Sequence, residues 1–312
     1  MKKINKPVWA LPINSKLIRS GLSRKGYEKY IPYIFLLAAS VSVITTVGIV
    51  LTLAGDALQF FRQVSLREIL STELAPLRAS PAFGFLPIIS GTIITSVIAM
   101  LVAAPTGLMA AMYLSEFASD RTRKLLKPVI EVLAGIPTIV YGFFAYSFVT
   151  PVLTKLIPTL GAKNALSPGI VMGIMIIPMV TSLSEDAMSS VPDALREGAL
   201  ALGSTRLETT LNVVFPAALS GIIASLVLGV SRAVGETMIV AIASGSSKNF
   251  TLDITQSMQT MTGYIVEFTS GDAGSGTVGY YSLYAVGLIL FIFTLLLNVA
   301  AQKISKRFKE EY

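Results

Sequence analysis

The chain has 312 residues, of which 53% are hydrophobic and only 14% are Asp, Glu, Lys or Arg. Because soluble domains usually carry about a quarter charged residues, this composition favours a protein that is solvated by lipid. The chain contains no Cys and no His, which argues against disulfides, zinc sites and Ser-His-Asp catalysis. We expect no metal, no cofactor and no catalytic residue.

Six uncharged runs are long enough to cross a bilayer, since a membrane helix needs about 20 apolar residues. In chain order the runs are 30–55, 79–115, 132–154, 164–184, 209–231 and 273–302. Pro81, Gly84 and Pro87 place the start of the second helix near Phe85. The run 30–55 is too long for the apolar part of a cleavable signal peptide. We therefore predict an all-α polytopic membrane protein with six transmembrane helices.

The net charge of +7 is distributed unevenly between the segments that separate these runs. With the N-terminus placed inside, the inner segments hold 18 Lys and Arg residues and the outer segments hold six. Basic residues accumulate on the cytoplasmic side of membrane proteins, so both termini are expected in the cytoplasm. The basic tail 1–29 is expected to lie along the anionic lipid of the inner leaflet. This distribution argues against a nucleic-acid partner.

Two local patterns concern packing. Within the extracytoplasmic segment 56–84, the stretch SLREILSTEL (65–74) places apolar side chains at helical spacing. It predicts a short amphipathic helix at the membrane interface. Gly169 and Gly173 form a small-xxx-small pattern, which allows two membrane helices to approach closely.

The longest inner segment, 185–216, is more structured than a plain connector. Asp193 lies in a first helical turn, and Gly203 suits the left-handed residue that ends a helix. Thr205 and Glu208 have capping-box spacing for a second helix. The first helix is predicted to have one narrow apolar face, formed by Leu195, Ala199 and Leu202. The segment is either an interfacial hairpin without a partner or a rigid projection that binds a cytoplasmic protein.

The stretch SRAVGETMIV (231–240) carries two charges in apolar surroundings. A bare charge at the centre of a membrane helix costs about 2.5–3.5 kcal/mol. On a continuous helix Arg232 and Glu236 lie on one face, at i and i+4, and can meet. They are either a self-neutralising packing pair or a transport site. In the second case, which we favour, Arg232 offers forked donors to an oxyanion, and Glu236 holds Arg232 or accepts a hydrogen bond from a protonated anion.

Three further acids lie near the inner surface. Glu131 is expected to pair with Lys124 or Lys127 and to have a structural role. Glu185 and Asp186 are expected to be solvated at the cytoplasmic end of the fourth span.

Glu197-Gly198-Ala199, followed by Gly203 and by an aliphatic stretch ending at Pro216, resembles the EAA loop of ABC-transporter permeases. Gly198 and Phe215 depart from that pattern, where Ala and Leu are usual. Further stretches resemble the phosphate-transport permease of the C type, the PstC family, and the resemblance runs from about residue 30 to 305. The stretches are LLKPVIEVLAGIPTIVYG (125–142), IMIIPMVTSLSEDAMSSVP (174–192), ALALGSTRLETTLNVVFPAALSGI (199–222), SRAVGETMIV (231–240) and LYAVGLILFIFTLLLN (283–298).

The resemblance implies an ABC importer (MetI-like) permease fold with a core at 85–305, after the first helix 30–55, and a cytoplasmic tail at 306–312. It implies that Arg232 and Glu236 line the substrate pathway. It also implies a coupling loop to the ATPase, formed by Arg196, Glu197, Gly198, Ala199, Gly203 and Pro216.

The implied partners are an A-type phosphate permease subunit in a heterodimer, a dimer of ATP-binding subunits and an extracytoplasmic phosphate-binding protein. The implied location is the bacterial plasma membrane, where the chain imports inorganic phosphate and the partners hydrolyse ATP. Three alternatives remain: another oxyanion as cargo, an ATP-independent secondary transporter or channel, and a membrane anchor or sensor that transports nothing.

Overall fold

A computed structural model describes residues 30–271, 274 and 276–307. The basic tail 1–29 and residues 308–312 of the C-terminal tail lie outside these ranges. The helices are, in chain order, α1 (Ile31–Gln63), α2 (Leu66–Ile69), α3 (Leu86–Phe117), α4 (Asp120–Ala134), α5 (Thr138–Leu156), α6 (Leu166–Ser189), α7 (Asp193–Ala201), α8 (Arg206–Ala217), α9 (Leu219–Gly235), α10 (Met238–Ala243), α11 (Met261–Ser270) and α12 (Val278–Arg307). Two short strands, β1 (Leu74–Ala75) and β2 (Ala82–Phe83), pair antiparallel with Leu74 opposite Phe83.

The described residues divide into two compact units, with the boundary between Thr52 and Leu53 inside α1. In the first unit, α1 exposes nearly all of its apolar side chains. The hydroxyls of Thr46 and Thr52 donate to carbonyls of their own helix, those of Ser42 and Gly48, at 2.9 and 3.0 Å. Hydroxyl groups whose hydrogen bonds are made within their own helix suit a lipid environment. A helix that is long and apolar enough for the expected first span is present, and it continues to Gln63.

In the second unit, an aromatic cluster joins the segment before α3 to α11. The rings of Phe60 and Phe83 meet edge-on at 5.2 Å between centroids, and those of Tyr264 and Phe268 stack at 4.4 Å. The predicted amphipathic helix over 65–74 is only partly right. Its helical part is the single turn α2, because the chain then bends so that Leu74 pairs with Phe83 and enters this cluster.

The centre of the second unit is the packing of α3 against α6. A Cβ on Gly173 would lie 2.7 Å from the carbonyl oxygen of Ala99 and 2.7 Å from the Cβ of Val102. A Cβ on Gly169 would crowd Ile98 in the same way. The close helix contact predicted from the two glycines is therefore confirmed. The buried hydroxyls of Ser184 and Ser225, 2.7 Å apart, tie α6 to α9.

Five described helices are long and apolar enough to span a membrane, and α8 with α9 makes a sixth span if this bent pair is counted as one. The third span begins at Thr138 rather than at 132, since Pro137 is extended, with ψ 137°, and separates it from α4. The fourth continues to Ser189 rather than ending at 184. The fifth bends by 73° after Ala217, where α8 gives way to α9.

Candidate transport site and coupling hairpin

The span that carries the two charges is broken between them. Helix α9 ends at Gly235, Glu236 is extended with φ −67° and ψ 132°, and α10 begins at Met238. Arg232 and Glu236 therefore do not share the face of one continuous helix, and that expectation is wrong. The physical reason is a helix cap: Oε1 of Glu236 accepts hydrogen bonds from the backbone N–H groups of Met238 and Ile239, at 3.0 and 3.2 Å. A carboxylate at this position satisfies donors that the start of a helix leaves unpaired.

The beginning of α11 completes the break. The hydroxyl of Thr262 donates to the backbone carbonyl of Glu236 at 2.7 Å. The N–H of Met261 donates to the hydroxyl of Thr92 on α3 at 2.9 Å. Non-helical backbone within a membrane is tolerated where protein groups satisfy it. The residues around Thr262 thus hold the broken span open at Glu236, a role that sequence reasoning missed.

The side chain of Arg232 lies at the surface of the described chain, beside the buried Met175. It is exposed, and its described polar contact is Nη2 at 4.0 Å from the Sδ of Met175. Among the described residues, no carboxylate lies within the 4.0 Å limit of an ion pair with Arg232. Gly235, one turn further on, is also exposed and has no neighbouring atom within 4 Å of an added Cβ. The two residues form an open patch beside the break.

We use the name coupling hairpin for α7 and α8, residues 193–217. Its secondary structure is as predicted: Gly203 has φ +94°, and Thr205 and Glu208 form a capping box. The apolar face is only partly as expected, because Leu195 packs into the bundle while Leu202 is 90% exposed. The hairpin thus presents a large apolar side chain to whatever surrounds it.

The EAA-like residues divide between the two sides of the hairpin. Glu197, Gly198, Gly203 and Pro216 are exposed, whereas Ala199 is half-buried. Arg196 faces inward. Its Nη2 lies 3.1 Å from Oε1 of Glu116 at the end of α3, and it donates to the carbonyl of Met188 on α6 at 2.7 Å. Arg196 therefore attaches α7 to the ends of two spans.

A second set of charges connects α4 with α6. Glu185 is fully buried and contacts Arg123 and Lys127, the latter at 2.6 Å, while Asp186 contacts Lys127 at 2.8 Å. These four residues are called the charge cluster. The hydrogen bonds that Lys127 donates to Asp186 and, to a smaller extent, to Glu185 raise the pKa of Lys127 above its ordinary value. The expectation that Glu185 is solvated is wrong, because two cations from α4 cover it.

The expectation that Glu131 pairs with Lys124 or Lys127 is wrong as well. Lys127 is engaged by the charge cluster, and Glu131 is exposed without an ion pair among the residues described. Lys124 is likewise exposed on α4 and makes no described ion pair. Glu131 therefore lacks the structural role that its spacing predicted.

A membrane span that is broken beside an exposed arginine is typical of membrane-embedded transport proteins. Residues 103–310 match the family described as binding-protein-dependent transport system inner membrane component. The chain belongs to this family. Its relatives are non-catalytic membrane subunits of ABC importers, which work with separate ATP-binding subunits and substrate-binding proteins.

The chain is 33% identical over 302 residues to the probable ABC transporter permease protein YqgH of Bacillus subtilis, covering 96% of this chain and 97% of that protein. It is 34% identical over 290 residues to the phosphate transport system permease protein PstC of Xylella fastidiosa, covering 86% and 87%. Among solved structures, a bacterial ABC transporter that imports alginate matches with a TM-score of 0.63 at 16% identity, covering 92% of this chain and all of that chain. This last likeness shows the fold alone. The predicted fold class is confirmed.

Proposed function

We propose that this chain is the C-type permease subunit of an ATP-driven importer of inorganic phosphate. The single observation that carries a transport site is the exposed guanidinium of Arg232, in a membrane span and without a carboxylate partner among the residues described. Phosphate as the cargo is supported by the similarity to PstC proteins. YqgH, which is equally similar, has no substrate in its name.

The position of Arg232 favours a pathway over lipid. Arg232 lies about 20 Å along α9 from Leu219, at 1.5 Å per residue, which is well inside a hydrocarbon core about 30 Å thick. An arginine facing acyl chains there would cost about 2.5–3.5 kcal/mol or more. A water-filled path, or a partner subunit that encloses one, removes this penalty. The same guanidinium offers paired donors that match a tetrahedral oxyanion.

The role of Glu236 differs from that of a counter-ion. Its Oε1 is occupied by the N–H groups of Met238 and Ile239, so it fixes the break that frees Arg232. The positive charge of Arg232 is then compensated by the anion that passes it. In this arrangement Arg232 binds the anion and Glu236 positions the backbone around it.

The coupling hairpin connects the permease to the subunits that hydrolyse ATP. With basic residues placed inside, both termini and the coupling hairpin face the cytoplasm. The hairpin then binds an ATP-binding subunit through its exposed side, which includes Glu197 and Leu202. Arg196 passes hairpin movement to α3 and α6 through Glu116 and Met188. An A-type permease completes the pathway, and an extracytoplasmic binding protein delivers phosphate.

The test of this function is uptake by the complete transporter. Replacing Arg232 by Ala is expected to abolish phosphate uptake while the complex still inserts and assembles. The matched control is Arg67→Ala. It removes an exposed arginine of α2, outside the membrane spans, and should leave uptake unchanged. Normal uptake by Arg232→Ala would contradict the proposal. Equal uptake of sulfate by the unmodified complex would instead identify the importer of another oxyanion.

A further inference from the structure

A groove of about 530 Å³ runs along the second half of α5. We call it the α5 groove. The helix that carries it is long and apolar enough to span a membrane. Nevertheless, five of the side chains that line the groove bear a hydroxyl or an amine, namely Tyr146, Ser147, Thr150, Thr154 and Lys155.

Another exposed side of α5 is apolar throughout. Phe144, Phe148 and Val152 recur at i, i+4 and i+8 and are exposed. The rings of Phe144 and Phe148 stack, with their centroids 5.1 Å apart. A stripe of this kind suits acyl chains. Because polar side chains in membrane spans usually face a protein interior or a water-filled cavity, the two sides of α5 are expected to meet different surroundings.

Tyr146 is the residue of the groove that lipid suits least. The hydroxyls of Ser147 and Thr154 donate to carbonyls of their own helix at 2.6 and 2.9 Å, and lipid tolerates such groups. The exposed phenol of Tyr146 makes no side-chain hydrogen bond within the described part of the chain. It lies about 12 Å along α5 from Thr138 and about 15 Å from Leu156, so it is near the middle of the span. An unpaired polar group at this depth is costly without water.

Pro151 brings a second polar group into the same groove. Because proline has no N–H, one carbonyl of the preceding turn lacks its helical donor. Membrane proteins satisfy such carbonyls with neighbouring groups or with water. A groove that holds water would satisfy both this carbonyl and the phenol of Tyr146.

The groove begins close to the broken span. A Cβ on Gly142 of α5 would lie 3.1 Å from the carbonyl oxygen of Met238 and 3.3 Å from the Cα of Ile239, so α5 packs directly on the start of α10. Tyr146 is four residues further along α5, about 6 Å at 1.5 Å per residue. With basic residues placed inside, α5 runs from this level toward the outside and ends beside Lys155.

We propose that the α5 groove is a water-filled wall of the outer half of the anion pathway, with the phenol of Tyr146 as a hydrogen-bond donor and Lys155 at the outer mouth. The proposal rests on the proposed transport function and adds residues that lie beyond Arg232. Lys155 makes no ion pair among the residues that the structure describes, and an unpaired cation at the mouth of a cleft raises the local concentration of anions.

The absence of cysteine from the chain makes the test direct, because a single cysteine can be introduced at each position. The complete transporter, with cysteine-free partners, is treated from the extracytoplasmic side with the membrane-impermeant anion sulfonatoethyl methanethiosulfonate. The measurement is made with and without a non-hydrolysable ATP analogue. Ser147→Cys and Thr154→Cys are expected to react about tenfold faster than Phe148→Cys and Val152→Cys in at least one of the two states, since only the thiolate reacts and apolar surroundings suppress it.

The roles of the two donors are tested separately. Lys155→Gln is expected to slow the reaction of Ser147→Cys with the anionic reagent about threefold, relative to its reaction with a neutral thiosulfonate. Tyr146→Phe removes only the hydroxyl and should lower the rate of phosphate uptake. The control Tyr113→Phe removes the hydroxyl of an exposed tyrosine on α3 and should leave uptake unchanged.

The inference is wrong if the groove cysteines react no faster than Phe148→Cys and Val152→Cys in both states, because the groove is then covered by lipid or by protein. Misfolding would not explain that result, since Ser147→Cys replaces one oxygen atom by sulfur. Failure of the proposed function has a different signature. If the groove cysteines react but Arg232→Ala transports normally, the wall is confirmed and the role of Arg232 is not.

Discussion

Glu236 is an acidic residue within a membrane span, and its hydrogen bonds explain why the span tolerates it. The residue is 8% exposed, and one of its carboxylate oxygens accepts two backbone N–H groups of α10. A buried carboxylate is tolerated when hydrogen bonds compensate for its lost water. The interaction is local, within three residues of the chain, and it does not involve Arg232.

If Glu236 acts as a helix cap, two substitutions at this position should differ in their effect on stability. If it acted only as a charged partner, both should have the same effect. Glu236→Gln keeps an oxygen that can accept the same N–H groups, so the free energy of unfolding should stay close to that of the parent. Glu236→Ala removes the cap and should lower it by about 1 kcal/mol, the usual cost of losing an N-cap side chain. Thermal unfolding of the purified chain measures both. Equal destabilisation by Gln and Ala would mean that the charge, and not the cap, is what the fold requires.

At the scale of elements, the charge cluster shows how α4 is held against α6. Helix α4 is not itself one of the spans, and it contributes Arg123 and Lys127 to the fully buried Glu185. Breaking a buried ion pair by removing one partner leaves uncompensated charge in a poorly solvated place. The attachment of α4 therefore depends on Glu185 more than on apolar packing, since α4 has no fully buried side chain.

We expect Glu185→Gln to lower the free energy of unfolding by about 1–2 kcal/mol, because Arg123 and Lys127 lose their charge-assisted hydrogen bonds to the shared carboxylate while Lys127 keeps Asp186. Glu131→Gln is the matched control. It makes the same chemical change on an exposed residue of α4, and it should alter stability by less than about 0.5 kcal/mol. Denaturation of the full chain in detergent compares the two variants. Similar losses in both would show that the cluster contributes little.

The elements also show which features the sequence could predict. The turn at Gly203 and the cap at Thr205 follow rules that act within a few residues, and both were predicted correctly. The break at Glu236 was not, because Arg232 and Glu236 stand at i and i+4, a spacing that also suits one continuous helix, and the hydrogen bonds that make Glu236 a cap are visible only in the structure. The burial of Glu185 could not be predicted either, since the residues that cover it, Arg123 and Lys127, come from a different helix.

At the scale of the whole molecule, the proposed function requires that events at the coupling hairpin reach the patch at Arg232. The chain offers a continuous route for this. Arg196 attaches the hairpin to α3 and α6, and the pair Ser184–Ser225 joins α6 to α9, which carries Arg232. In the proposed function, the exposed side of the hairpin binds an ATP-binding subunit.

That docking surface can be tested apart from transport. Leu202, which is 90% exposed at the hairpin, is expected to enter an apolar groove of the ATP-binding subunit, so Leu202→Asp should reduce co-purification of that subunit at least tenfold. A charge buried in such a groove is strongly unfavourable. Leu77→Asp changes a leucine that is 75% exposed in the segment before α3 and should not affect co-purification. If Leu202→Asp leaves co-purification unchanged, Leu202 is not part of the interface with the ATP-binding subunit.

The most direct test of the account is ATP hydrolysis by the complex reconstituted with its ATP-binding subunits, its second permease and its binding protein. We predict that phosphate stimulates hydrolysis, that sulfate does not, and that Arg232→Ala abolishes the stimulation while leaving hydrolysis without phosphate intact. Equal stimulation by sulfate, or full stimulation by phosphate in Arg232→Ala, would contradict a phosphate pathway that passes Arg232.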